Sequence, residues 1–179
     1  VKQYYALEPG EWRSKILSLA DDNDEQSSTS AFHSFLSHQE EAIFALETVE
    51  PRMNVTRLYW DNFKCDMSGG SRRYPEVTAA ITKKFSEGSL IFNYLGHSSY
   101  NAISAEHSYS ISQAQSIYNK IYPVWFAGSC NLSQYDDFRS SFGEEIMLNP
   151  NGGAIASIGS VRTAYASPNL SLDKDFLKQ

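Results

Sequence analysis

The chain has 179 residues, enough for one domain with a proper core and too few for two ordinary ones. Hydrophobic residues make up 41% and charged residues 20%, which excludes a disordered or fibrous chain, and a net charge of −6 argues against nucleic acid, whose binders cluster Lys and Arg. No apolar run approaches the roughly 20 residues of a membrane-spanning helix, and two cysteines are too few for a disulfide framework or a four-ligand zinc site.

Apolar runs of strand length alternate with amphipathic stretches. The first run, residues 15–20, ends in the acidic loop Asp21, Asp22, Asn23, Asp24. Ser27 to Ser30 is rich in capping residues, and Phe35, Ile43 and Leu46 follow at near-helical spacing. A second run at residues 55–60 is β-branched and aromatic, as strands prefer. A helix opening at Pro75, with Val77, Ala80, Ile81 and Phe85 on one face, is expected to end at Gly88.

Residues 89–95 read as a buried strand running into Gly96 and His97, and a weaker helix is expected over 111–119. A fourth strand over 123–128 runs into Ser129 and Cys130. Ser141 and Glu144 form a capping box for a helix to Leu148, and a fifth strand covers 154–160. A helix-like run follows from Leu170 to Lys178. This β-α-β-α order predicts a mainly parallel sheet covered by helices on both faces. Residues 1–179 are expected to form a single domain. With no initiating Met, no signal-type leader and an end inside a helical pattern, the chain reads as a piece of a longer protein.

Open parallel sheets carry their chemistry on loops beyond the carboxyl ends of their strands. Three residue types that can act together fall there: Asp21 and Asp22, His97, and Cys130. A thiol nucleophile needs a base, because the thiolate is the reactive form and free Cys has a pKa of about 8.5. An imidazole on the neighbouring strand end can supply it, and a carboxylate behind the imidazole would fix its tautomer. The bland alternatives are a small buried Cys and a solvated acidic turn before a helix. The acidic loop lacks the glycine and distal Glu of an EF-hand, so calcium has little support there. No phosphate-binding glycine motif and no G-x-S-x-G elbow is present.

The segment from Asn93 through Gly96 and His97 to Ser99 resembles the N-Y-x-G-H-G-S block of the gingipain-like cysteine peptidases, which share the caspase-type fold. Residues 127–130 resemble the strand that ends in the family's catalytic Cys. Residues 149–160, followed by Tyr165 to Pro168, resemble the segment leading to its specificity loop. The opening Trp12 and Arg13, with Leu19 to Asp22, is most like members that act as C-terminal signal peptidases of the type IX secretion system. Together these blocks span residues 12–169.

The resemblance implies a three-layer α/β/α gingipain-like fold and a cysteine endopeptidase acting on polypeptides. Cys130 would be the nucleophile, His97 the general base and acid, and Asp22 the residue orienting the imidazole. Backbone N–H groups of Ser98 and Cys130 would form the oxyanion hole. Tyr165 would line the primary specificity pocket. Asp21 and Asp24 are expected to border the same cleft and make it negative. The resemblance also implies a bacterial surface, outer-membrane-associated or secreted location, type IX components as partners, and no required cofactor. Two positions depart from the pattern: Ser98 stands where the family has Gly, and Ile103 where it has Trp. Ser98 is what separates an active peptidase from the alternative reading, a non-catalytic module binding or assembling within an envelope secretion complex.

Overall fold

The computed structural model describes Tyr4, residues 6–22 and residues 35–179. Five parallel strands form the central sheet: β1 (Lys15–Ala20), β2 (Asn54–Tyr59), β3 (Ile91–Leu95), β7 (Val124–Gly128) and β8 (Ala156–Gly159), in the order β2-β1-β3-β7-β8. Three two-residue strands, β4 (Ser98–Ser99), β5 (Ala102–Ile103) and β6 (Tyr109–Ser110), make a small antiparallel sheet just past β3.

Helices α1 (Phe35–Val49) and α5 (Ala166–Leu177) cover one face; α2 (Pro75–Glu87), α3 (Ile111–Ser116) and α4 (Phe142–Leu148) belong to the other. Strand periodicity divides the core between these layers. Leu17, Leu19, Phe92, Tyr94, Trp125 and Ala127 point to α2, where Val77, Ile81 and Phe85 wait. Phe85 stacks on Trp125, with centroids 6.2 Å apart and planes 6° from parallel, and lies 4.4 Å from Phe92. Ile16 packs with Ala42, Ile43, Leu46 and Leu177 on the opposite face. The expected α/β/α sandwich with a mainly parallel sheet is the observed one.

Local chemistry ends the elements where it should, with instructive exceptions. Gly88 takes φ +78°, and its N–H closes α2 on the Lys84 carbonyl. Ser141 and Glu144 make the expected box at the start of α4. Helix α3 stops at Ser116, short of the expected Asn119. The Asn149 amide donates to the Ala114 and Ile117 carbonyls at 2.9 and 2.8 Å, satisfying two acceptors at the end of the helix from outside it. The C-terminal helix opens four residues before Leu170, at Ala166. Ile103, in place of the family's Trp, is fully buried in the larger core. The capping cluster Ser27 to Ser30 lies outside the described residues.

Candidate active site

Strand register assembles the site. Ala20 pairs with Leu95, and Leu95 pairs with Gly128, across adjacent parallel strands about 4.8 Å apart. Two residues further along each chain come Asp22, His97 and Cys130. The sheet therefore sets a carboxylate, an imidazole and a thiol in one row along its carboxyl edge. The Asp21 N–H bonds the Leu95 carbonyl at 3.1 Å, extending the ladder between β1 and β3 one step beyond the strands.

His97 is exposed, and its ring packs edge-on against Phe35, with centroids 4.9 Å apart. The chain then enters β4, where the Ser98 hydroxyl donates to the Cys130 carbonyl. That bond ties the His-bearing loop to the Cys-bearing loop. Ser98 lies opposite Ile103, and the neighbouring bond runs from the Ser104 N–H to the His97 carbonyl at 2.8 Å. This is the wide type of antiparallel pair, in which the Ser98 N–H points away from the partner strand. Ser98 is not among the residues with positive φ. Its position is ordinary extended backbone, so a serine fits where the family has glycine without strain.

Cys130 is a free, half-buried thiol. Its Sγ lies 3.4 Å from both the N–H and the carbonyl oxygen of Ala164. Directly after it the chain turns back through Asn131, at φ +56°, a left-handed conformation that asparagine tolerates better than most residues. The Asn131 and Ser133 N–H groups then bond the Arg162 and Ser160 carbonyls, each at 3.1 Å. The thiol is thus held by the loop that leads to Tyr165. Tyr165 precedes α5 and is 77% exposed, a surface aromatic one residue from the group touching Sγ.

The carboxylates behave differently from expectation. Asp22 is buried, and its Oδ2 accepts from the Arg72 guanidinium and from the Tyr74 hydroxyl at 2.8 Å. Among the described residues the His97 ring makes no hydrogen bond to it. Asp21, expected to line the cleft, is 1% exposed and faces inward. Its Oδ2 accepts the His97 main-chain N–H at 2.9 Å and lies 3.2 Å from the Tyr94 hydroxyl oxygen. Burial holds the Asp21 carboxyl well above the usual carboxylate range, against the opposing pull of the His97 N–H. A negative wall built from Asp21 is therefore absent, and Asp24 lies outside the described residues.

Sequence reasoning missed Arg72, Tyr74 and Glu106. Oxygens of Asp21, Asp22 and Glu106 lie within 4.8 Å of one another, the one described group of carboxylates close enough to share a cation. Arg72 is already the counterion there, with its Nε 3.7 Å from Glu106 and its other nitrogen on Asp22. The Tyr74 hydroxyl and the Asp22 carboxylate raise the Arg72 pKa above its already high value. Nothing near Arg72 in the sequence marks it. It follows a Gly-Gly-Ser turn 50 residues from its acidic partner.

The chain is similar in fold to gingipain R, described as an Arg-specific cysteine proteinase, with a TM-score of 0.71 and 18% identity. It is comparably similar to RgpB of Porphyromonas gingivalis in a complex of pro- and mature domains, at 0.69 and 17%, and to a structure titled only as a protease, at 0.67 and 18%. These matches cover 94–96% of this chain but only 34–38% of the solved chains, so it spans about a third of their length. No curated protein sequence matches. Among the described residues no helix is long and apolar enough to cross a membrane. The family model for peptidase family C25 matches residues 1–179, and the chain belongs to that family.

Proposed function

We propose that this chain carries the nucleophile and the base of a cysteine endopeptidase. The observation that carries the reading is the row past β3 and β7: His97 and Cys130 each stand two residues beyond the paired Leu95 and Gly128. His97 takes the thiol proton, and Cys130 Sγ attacks the peptide carbonyl. The N–H groups of Cys130 and Ser98 stabilise the oxyanion. The imidazolium then gives its proton to the leaving amine, and water attacks the acyl-enzyme with His97 again as base. Tyr165, exposed beside Ala164, is the wall for the residue on the acyl side of the cut.

The non-catalytic alternative drew its motive from Ser98, and the extended backbone there removes that motive. The expected negative cleft loses its support from Asp21, which is buried, while Asp22 beside it is paired with Arg72. The sequence resemblance supports a finer version of the reading: removal of C-terminal signals from type IX secretion substrates at the bacterial surface, alongside other components of that system. The dyad chemistry requires no cofactor, and calcium would have to compete with Arg72 for the carboxylate group. The test is cleavage of a peptide panel by the full-length protein and by its Cys130→Ala variant. Turnover lost in the variant supports the reading, and turnover equal in both contradicts it.

A further inference from the structure

We propose that Tyr94 and Asp21 are positioning residues that hold His97 by its main chain and leave its ring free to move protons. This rests on the dyad reading above.

Both peptide groups of His97 are anchored by buried side chains. Its N–H donates to Asp21 Oδ2 at 2.9 Å, and its carbonyl accepts the Tyr94 hydroxyl at 2.6 Å. The Ser104 N–H reaches the same carbonyl at 2.8 Å and the Tyr94 oxygen at 3.1 Å. Tyr94 is 0% exposed and Asp21 1%, so neither contact is diluted by water. The phenol and the carboxyl also touch each other, at 3.2 Å, closing the clamp.

Gly96 makes this possible. A Cβ there would fall 2.2 Å from the Tyr94 oxygen and 2.5 Å from Asp21 Cβ. Any side chain at residue 96 would push the two clamping groups apart. The three residues come from adjacent strand ends, with Leu19 paired to Tyr94, so the sheet itself sets the clamp. His97 is exposed and its ring packs edge-on against Phe35, with no hydrogen bond to the imidazole among the described residues. A base that must both take and return a proton needs a fixed Cα and a mobile ring, because misplacement by about 1 Å can cost roughly 100-fold in rate.

The test is the pH profile of Cys130 alkylation by iodoacetamide, in which the thiolate displaces iodide. It is read by mass spectrometry in a Cys65→Ser background, with melting curves in parallel. An imidazole-paired thiol keeps reacting below the free-thiol range near a pKa of about 8.5, and His97→Ala should remove that low-pH arm. Tyr94→Phe and Asp21→Ala are expected to lower the arm roughly 10- to 100-fold. Asp21→Asn keeps a carbonyl acceptor for the His97 N–H and should retain the parent profile. A folded Tyr94→Phe or Asp21→Ala protein with the parent profile overturns the clamp. So does an Asp21→Asn profile as poor as that of Asp21→Ala. A parent protein whose low-pH arm is absent, or survives His97→Ala, overturns the dyad reading instead, which keeps the two failures apart.

Discussion

Past β3 and β7 the chain leaves an exposed imidazole and a half-buried thiol, joined through the Ser98 hydroxyl and the Cys130 carbonyl. Past β1, in the same row, it buries two carboxylates and surrounds them with Arg72, Tyr74, Tyr94 and a main-chain N–H. Register is shared by both regions; partners are not. A carboxylate with a guanidinium on it is a structural ion pair, whereas an exposed imidazole and a half-buried thiol in the same row are open to the proposed chemistry. Position at a strand end nominates a residue for chemistry, and the groups around it decide whether it takes part.

The largest effect should separate the two regions outright. Cys130→Ala and His97→Ala are each expected to lower turnover of a peptide substrate by roughly 10⁴-fold or more, with melting temperatures near the parent value. Asp22→Asn is expected to leave kcat within about 2-fold, because this buried carboxylate is engaged by Arg72 and Tyr74 and makes no hydrogen bond to the His97 ring among the described residues. Comparable losses in all three variants would return Asp22 to the mechanism.

In stability the order should reverse. Removing Arg72 leaves Asp22 buried without its cation, so Arg72→Met should destabilise by about 1–3 kcal/mol, less than a fully buried pair would because the guanidinium is a third exposed. Urea midpoints measure it. A null result would mean that the carboxylate cluster takes its charge balance from another source.

A second buried acid tests the opposite face of the sheet. Asp173 on α5 is fully buried, accepts the Asn93 amide at 2.5 Å, and has its other oxygen unpartnered along with Asn93 Oδ1. Burial pushes its carboxyl up to about 7, against the lowering by Asn93. Because the folded value lies above the unfolded one, the unfolded chain releases its proton first. Stability from this group is complete below about pH 4 and is lost as pH rises to about 7. Asp21, raised in the same direction, adds a slope of the same sign. Asp173→Asn should flatten the decline of the urea midpoint between pH 5 and pH 8, by on the order of a few kcal/mol. A parent protein that gains stability over that interval contradicts the assignment.

Much of this was legible before the structure. The five strands, the α2 boundaries at Pro75 and Gly88, and the α4 capping box follow from periodicity and local chemistry that act within a few residues. His97 and Cys130 were legible for the same reason, since each is read from the end of its own strand. Asp21 and Asp22 were placed correctly at an edge and given the wrong surroundings. Arg72 reaches Asp22 across 50 residues, and Tyr94 meets Asp21 across 73, separations at which sequence spacing carries no signal. The β4-β5-β6 sheet escaped notice because two-residue strands have no periodicity to read. Glycine after the histidine is not required by the backbone here, because Ser98 is extended and its hydroxyl has its own partner.

The smallest expected effects concern the rim. Tyr165→Ala should leave stability within about 0.5 kcal/mol, because the ring is 77% exposed, while changing KM more than kcat across peptides that differ in the residue before the cut. Ser98→Ala should loosen the link between the two loops and lower kcat modestly, with Ser98→Gly no better. Improvement by glycine would show that serine does strain the oxyanion hole.

The account is tested most directly by the two thiols of the same molecule. A peptide bearing a thiol-directed electrophile, incubated with the protein near pH 6 and followed by mass spectrometry, should label Cys130 and spare the half-buried Cys65. The label should disappear in His97→Ala and persist in Asp22→Asn. Equal labelling of the two cysteines, or labelling of Cys130 unchanged by loss of His97, would contradict the dyad.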